Sequence, residues 1–296
     1  MTPPVDRIQA LPCWRGPVSP EPLGGGITNL NFTVQDGSRR YVVRVGDDIP
    51  VHQIMRFNEL AASRAAHAAG LSPAVVYAEP GATVLDFIEA RTLGEGDVRD
   101  RATLARVLPL VVRCHRDLPQ HLRGPVLAFW VFHVLRDYAH TLEAGESRWI
   151  PQLPALLKHA ADLERAVGPV EIVFGHNDLL AGNFLDDGRR LWLIDWDYAG
   201  FNSPLFDLGG LASNNALAVE DERWLLEQYF ERPLDEGLWR RYQAMKCASL
   251  LRETMWSMVS ELHLDAPGVD YVASTTENLE RLAQSLEAYQ SAYGKI

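Results

Sequence analysis

The chain has 296 residues, 47% hydrophobic and 23% charged, enough for one large domain or two lobes with substantial cores. Asp and Glu outnumber Lys and Arg by 39 to 28, and the resulting net charge of −11 argues against nucleic acid as a partner, because nucleic-acid binders carry a basic patch. No apolar run reaches the length of a bilayer-spanning helix, the N-terminus lacks the basic-then-apolar order of a secretion signal, and Cys13, Cys114 and Cys247 form no C-x-x-C pair, so no membrane insertion and a reducing cytoplasm are expected.

Residues 1–22 hold six prolines (Pro3, Pro4, Pro12, Pro17, Pro20 and Pro22) and read as an extended lead-in without stable helix. The glycine-rich run LGGGITNLNF follows at 23–32, and an Asp36-Gly37 hairpin signal joins it to the β-like run 40–45. Glycines on such a turn let backbone N–H groups approach phosphate oxygens, which makes Gly25, Gly26, Thr28 and Asn29 candidates for holding a nucleotide. Three glycines alone describe a plain flexible turn better than a nucleotide loop. What adds weight is Arg44 on the next strand, where a base would bind nucleotide phosphates. Residues 51–69 show helical spacing (Ile54, Phe57, Ala61, Ala65, Ala68), and Glu59 on that helix is either the ion-pair partner of Arg44 or a solvated Glu. Short strands at 75–77 and 83–88 flank Pro80-Gly81, after which the pattern turns helical. The expected architecture is α+β in two lobes. Residues 1–88 form a small β-rich nucleotide lobe with one main helix, and 89–296 a larger, mostly helical lobe with the catalytic, metal and substrate site. At the joint, Asp86 C=O and Ile88 N–H are placed to hydrogen-bond adenine.

Residues 98–118 read as a helix ending in His115-Arg116-Asp117. That HRD triplet resembles a catalytic loop, but five residues after Asp117 stands Leu122 rather than Asn, and Pro119 closes the segment. It reads as a helix end capped by basic residues. Further helices are expected at 125–143 and 152–167, with Phe129, Trp130, Phe132 and Leu135 in the core.

The segment 174–197, FGHNDLLAGNFLDDGRRLWLIDWD, carries the chemistry. It reads H-N-D-x-x-x-x-N and then D-W-D, where protein kinases have H-R-D-x-x-x-x-N and then D-F-G. The variant loop and missing Gly point to kinases of small molecules. The hairpin turn signal at 186–189 folds Asn183 back beside Asp195, so both can hold one Mg2+ against the phosphates of ATP. Asp178 would accept the proton of the attacking hydroxyl, and His176 would brace the loop. Downstream, Asn202 and Asp207 are candidates for anchoring the loop backbone, with a helix N-cap as the alternative role for Asp207.

Together GGGITNLNF, YVVRV, LDFIEAR, HNDLLAGNFL, LIDWDYAGFNSPLFDLG and MWSMVSEL resemble the choline/ethanolamine kinase group of the aminoglycoside-phosphotransferase-like superfamily, over residues 23–290. Arg44, where aminoglycoside kinases have Lys, favours the choline-kinase branch. The resemblance implies a protein-kinase-like fold and ATP-dependent phosphorylation of an amino alcohol, most plainly choline or ethanolamine. It also implies a substrate ammonium held by aromatic rings and acids, at positions matching Trp256 and Tyr271. Two departures stand out: Glu253 replaces a second Trp, and a pocket acid gives way to something near Asn214. A single carboxylate with fewer rings suits a primary ammonium at least as well as choline. An aminoglycoside, thiamine or another small alcohol is the alternative acceptor. A nucleotide-binding pseudoenzyme would typically have lost the base or a metal ligand, and Asp178, Asn183 and Asp195 are all present.

Overall fold

The computed structural model describes residues 3–266 and 268–294. Chain order begins with α1 (Pro4–Gln9), β1 (Glu21–Leu23), β2 (Leu30–Asp36), β3 (Arg39–Val45), α2 (Arg56–Ala68), β4 (Val75–Glu79) and β5 (Ala82–Asp86). The five strands form one antiparallel sheet in the order β1-β2-β3-β5-β4. The lead-in is not extended throughout. Pro4 sits in the first turn of α1, where a missing N–H does no harm. Ile8, Leu11 and Val18 then bury against Phe32, Val34, Val43 and Val84, closing a small core over one face of the sheet. Trp14 Nε1 donates to Ile8 O at 2.7 Å and fixes the fold-back.

The chain continues through β6 (Arg91–Thr92), α3 (Glu95–Arg99), α4 (Arg101–Arg116), α5 (Val131–Ala144), α6 (Leu153–Val167), β7 (Val173–Gly175), β8 (Phe184–Asp186), β9 (Leu191–Leu193), β10 (Gly200–Asn202), α7 (Pro204–Asn214), α8 (Val219–Phe230), α9 (Glu236–His263) and α10 (Tyr271–Tyr293). The fold is α+β: a β-rich N-terminal region and a helical C-terminal part. Helix α5 begins at Val131, six residues later than the sequence pattern suggests, because 125–130 run extended beside β10. The buried alanines of α2 (Ala62, Ala65, Ala66) join the large core of the helical part rather than that of the sheet.

Helix α9 is the axle of this core. Asp235 caps its first turn by accepting from Leu238 N at 2.8 Å, and it packs on α5, α6, α7 and α10. It meets α7 at Gly209, where a Cβ would lie 3.0 Å from Lys246 Cα. Gly209→Val should therefore destabilise the protein by about 1–3 kcal/mol, the range for forced overpacking, read as a lower denaturant midpoint at unchanged m-value.

Candidate active site

The segment 173–207 folds on itself. Strands β8 and β9 pair in register, and Ile194 N donates to Asn183 O at 3.0 Å, which sets Asn183 beside the residue preceding Asp195. Two residues here take the left-handed backbone conformation that non-glycine residues rarely adopt, Asn177 (φ 66°) and Asp195 (φ 69°). Strain of this kind persists only where surroundings enforce it. The enforcing group at Asn177 is Asp207 in the first turn of α7. Its carboxylate accepts from His176 N at 2.8 Å, Asn177 N at 2.7 Å and His115 Nε2 at 2.9 Å. Burial alone would raise the Asp207 carboxyl, but the His115 hydrogen bond and charge, together with His176, outweigh it and hold the group below the usual range. Asn202 Nδ2 donates to Asn177 Oδ1 at 3.1 Å, and Asn177 Nδ2 donates to Tyr198 O at 2.9 Å. The N-cap of α7 is Ser203, not Asp207: Ser203 Oγ accepts from Leu205 N at 3.2 Å.

His176 is fully buried, with Nε2 2.9 Å from Ile194 O. Burial lowers its pKa, so the ring stays neutral and ties the loop to the hairpin. Asp178 is half-buried at the head of the loop. Asn183 Nδ2 donates to Asp178 O at 2.8 Å, which fixes the carboxylate's backbone and leaves the Asn183 side-chain oxygen without a donor among the described residues. Burial, reinforced by the charges of Glu253, Asp195 and Asp197 and opposed by Arg252, pushes the Asp178 carboxyl up to about 8. That range suits a base working near neutral pH.

Facing the loop is a cleft of about 560 Å³ lined by Gly24, Gly25 and Gly26 at one wall, Asp86, Phe87 and Ile88 at one end, and Asn183 and Asp195 at the other. Gly25 and Gly26 have φ near +92° and +94°, and a Cβ on Gly26 would come 2.7 Å from Asn31 Nδ2, so the turn requires glycine here. Asn31 Nδ2 pins the turn by donating to Gly25 O at 2.7 Å. The Asp86 side chain is turned outward to Arg39, 2.7 Å away, while its backbone stays on the cleft wall in β5.

Deeper in, Arg44 Nη2 lies 2.8 Å from Asp195 Oδ1 and 2.9 Å from Asp197 Oδ1. Its Nε lies 3.0 Å from Glu59 Oε1, an ion pair rather than an aligned hydrogen bond. Burial works against the Arg44 charge, but Asp195, Glu59 and Asp197 outweigh it and raise its pKa. Glu59 is therefore the buried partner of Arg44, in the first turn of α2 rather than mid-helix. Asp197, which the sequence pattern left without a role, is the hub. Besides Arg44 it accepts from Thr28 Oγ1 at 2.7 Å, Asn29 Nδ2 at 3.1 Å and Arg56 Nη1 at 3.1 Å. It thereby ties the tip of the glycine turn to the catalytic segment. The donors at the cleft floor, the Asn183 amide oxygen and the Asp195 carboxylate, are the hard oxygen ligands Mg2+ prefers, so the residues present fit that ion.

Near Asp178, close enough for its charge to act on Tyr198, stands an aromatic wall. Trp256 Nε1 donates to Tyr198 OH at 2.7 Å, and its ring lies 5.3 Å from His52 and 6.2 Å from Tyr271. His52 is buried between Tyr138 OH (3.2 Å) and Ser260 Oγ (3.1 Å), and burial with Arg252 and His263 nearby pushes its pKa down to about 3. It is neutral and holds the wall from behind. Glu253 is paired with Arg252 at 2.6 Å. Asn214 is half-buried and makes no hydrogen bond to this group. Its neighbour Asn215 is buried and donates instead to Leu179 O of the HND loop, at 3.2 Å. His115 of the HRD triplet is no solvated cap either: it is buried between Asp207 and Tyr229, a buttress for the true loop.

The chain is similar to known proteins along most of its length. Residues 19–245 match the model of the phosphotransferase enzyme family, APH. Protein LicA of Haemophilus influenzae is 25% identical over 279 residues, covering 88% of this chain and 79% of that protein. A probable ethanolamine kinase of Arabidopsis thaliana is 32% identical over 208 residues, 64% of this chain and 54% of that protein, so the match spans about half of the plant relative. The crystal structure of a choline/ethanolamine kinase family protein from Mesorhizobium loti superposes with a TM-score of 0.75 at 27% identity, over 95% of this chain and 93% of that one. With Asn183, Asp195 and the glycine turn gathered on one cleft, the match is more than a shared outline: this chain belongs to the APH phosphotransferase enzyme family and transfers phosphate to an alcohol.

Proposed function

We propose that this protein transfers the γ-phosphoryl group of ATP to the hydroxyl of an amino alcohol, choline or ethanolamine. The observation that carries the reading is the single cleft that runs from Asp86–Ile88 past the glycine turn to Asn183 and Asp195, with Asp178 one loop away and the Trp256 wall near it. The adenine edge lies against the backbone of Asp86 and Ile88. Gly25, Gly26 and Arg44 hold the phosphates. Mg2+ held by Asn183 and Asp195 would neutralise charge on the β- and γ-phosphates. Asp178 accepts the hydroxyl proton on its carboxylate as the alcohol oxygen forms its bond to the γ-phosphorus and the bond from that phosphorus to the β,γ-bridging oxygen breaks, releasing ADP; the raised pKa of Asp178 favours taking the proton. Asn183 and Asp207 hold Asp178 in line for the attack.

The direct test is ADP release from MgATP with choline and ethanolamine, each alone. Absence of turnover with both would sink the reading. Thr28→Val removes one hydrogen bond to the buried Asp197 carboxylate, a contact worth ~1.5–3 kcal/mol. It should raise the KM for ATP about tenfold and leave the KM for the alcohol unchanged.

A further inference from the structure

Arg56, the first residue of α2, shares its guanidinium among four segments of the chain. Nε donates to Asp47 O at 2.9 Å and Nη2 to Thr28 O at 3.0 Å. Nη1 donates both to Glu59 Oε2 at 2.7 Å and to Asp197 Oδ1 at 3.1 Å. Its backbone N–H is fixed in turn by Asp48 Oδ1 at 2.6 Å. The β3–α2 connection, the tip of the glycine turn, α2 and the D-W-D segment thus meet on one side chain. They meet tightly: a Cβ on Gly46 would lie 2.8 Å from Asn29 Oδ1, 3.3 Å from Arg56 Nη2 and 3.4 Å from Thr28 O. A planar fork of five donors spans four such acceptors, whereas the compact ammonium of Lys does not.

The charge balance shows what this junction does. Glu59 and Asp197 are buried, and with Asp195 they set three carboxylates against the two guanidinium groups of Arg44 and Arg56. Arg44 touches all three acids. On the reading above it also holds the nucleotide phosphates. Were Arg44 the only cation here, turning an N–H group toward phosphate would leave buried carboxylates without a counter-charge, which is strongly unfavourable. Arg56 removes that conflict. It stands on the same two buried acids, on Glu59 through the oxygen that Arg44 leaves free and on Asp197 through the oxygen that Arg44 shares. Both acids therefore stay compensated when Arg44 turns to the nucleotide. Through Thr28 O the same side chain keeps the glycine turn seated against the pair.

We propose that Arg56 is a positioning residue for phosphoryl transfer: as the standing counter-ion of Glu59 and Asp197 it releases Arg44 to the nucleotide phosphates and seats the glycine turn beside them. This rests on the reading of the cleft as the ATP site. The test is the Kd of MgADP and that of adenosine, each measured by isothermal titration on the full chain without acceptor. Adenosine has the base that meets Asp86 and Ile88 but no phosphate. Arg56→Gln removes the charge and should weaken MgADP about tenfold, the scale of one hydrogen bond to a charged group, while adenosine binds as before. The KM for ATP should rise by the same factor and the KM for the alcohol should not move. Arg56→Lys restores the charge without the span and should recover part of the loss, to about threefold. A folded Arg56→Gln variant with unchanged MgADP binding, equal losses for MgADP and adenosine, or a Lys variant as weak as the Gln variant would each overturn the proposal. Should Arg56→Gln fail to fold, Arg56→Lys decides: a loss confined to MgADP supports the role, and no loss or an equal loss for both ligands overturns it. A wild type that does not bind MgADP would overturn it together with the ATP reading, whereas a wild type that binds MgADP beside variants that behave as just described for failure would overturn it alone.

Discussion

Asp178→Asn should lower kcat by about 10³-fold, inside the 10²–10⁴ that a positioned base contributes, while the KM for ATP stays near the wild-type value. The amide keeps the shape of the carboxylate but cannot take the hydroxyl proton. The same change should stabilise the fold above pH 7. The folded-state pKa of Asp178, about 8, lies above the ~3.9 of an unfolded Asp, so between those values the folded protein holds a proton that the unfolded chain has released. Stability then falls as pH rises through that window, and above pH 8 the full penalty of an ionised, desolvated carboxyl is present. Asn carries no such penalty. Thermal melts in chelator at pH 5 and pH 8.5 should show the wild type losing ground to the variant as pH rises; parallel behaviour at both pH values would contradict the assignment.

Asp207→Ala should be damaging in both respects. One buried carboxylate serves two loop N–H groups and a ring nitrogen, so its removal strands three polar groups away from water. Losing one partner of such a buried pair typically destabilises by ~3–5 kcal/mol. Because the left-handed Asn177 is held by these bonds, activity should fall at least as far as in Asp178→Asn even under conditions where the variant remains folded. Asp207→Asn retains one accepting oxygen and should recover part of the stability. Denaturant unfolding and kcat measured on the same preparations check both statements, and a stable, active Asp207→Ala enzyme would rule out the anchoring role.

The contrast between these residues and those the sequence left obscure is physical. The loop and hairpin could be read because their contacts are local: Asp178 and Asn183 stand five residues apart, and a turn of known type returns the chain to Asp195. Asp207 could be placed by its position at a helix start. His115 could not, because its partner lies 92 residues away and only tertiary packing brings them together. Asp197 stood in plain view in D-W-D, but nothing local distinguishes a second acid that faces the opposite part of the molecule from one that caps a strand. At the N-terminus, six prolines outweighed the apolar spacing of Ile8, Leu11 and Val18, although Pro4 at the start of a helical turn is compatible with helix. Arg252 was hidden for a different reason: an Arg beside a Glu on a long helix usually marks a wet surface, and only packing shows that this one is buried.

The long helix α9 carries a further implication. Arg252, Glu253 and Trp256 ride on it, whereas Asp178, Asn183, Asp195 and Asp207 belong to a separate stretch of chain with its own internal bonding. On the proposed reading, the side chains that meet the acceptor and those that carry out the transfer thus lie on different parts of the polypeptide. The two stretches are still coupled by charge, because Arg252 and Glu253 on α9 act in opposite senses on the Asp178 carboxyl, so an exchange on that turn alters the base as well as the wall. An engineer who changes the acceptor through this turn would therefore have to retune the base with it.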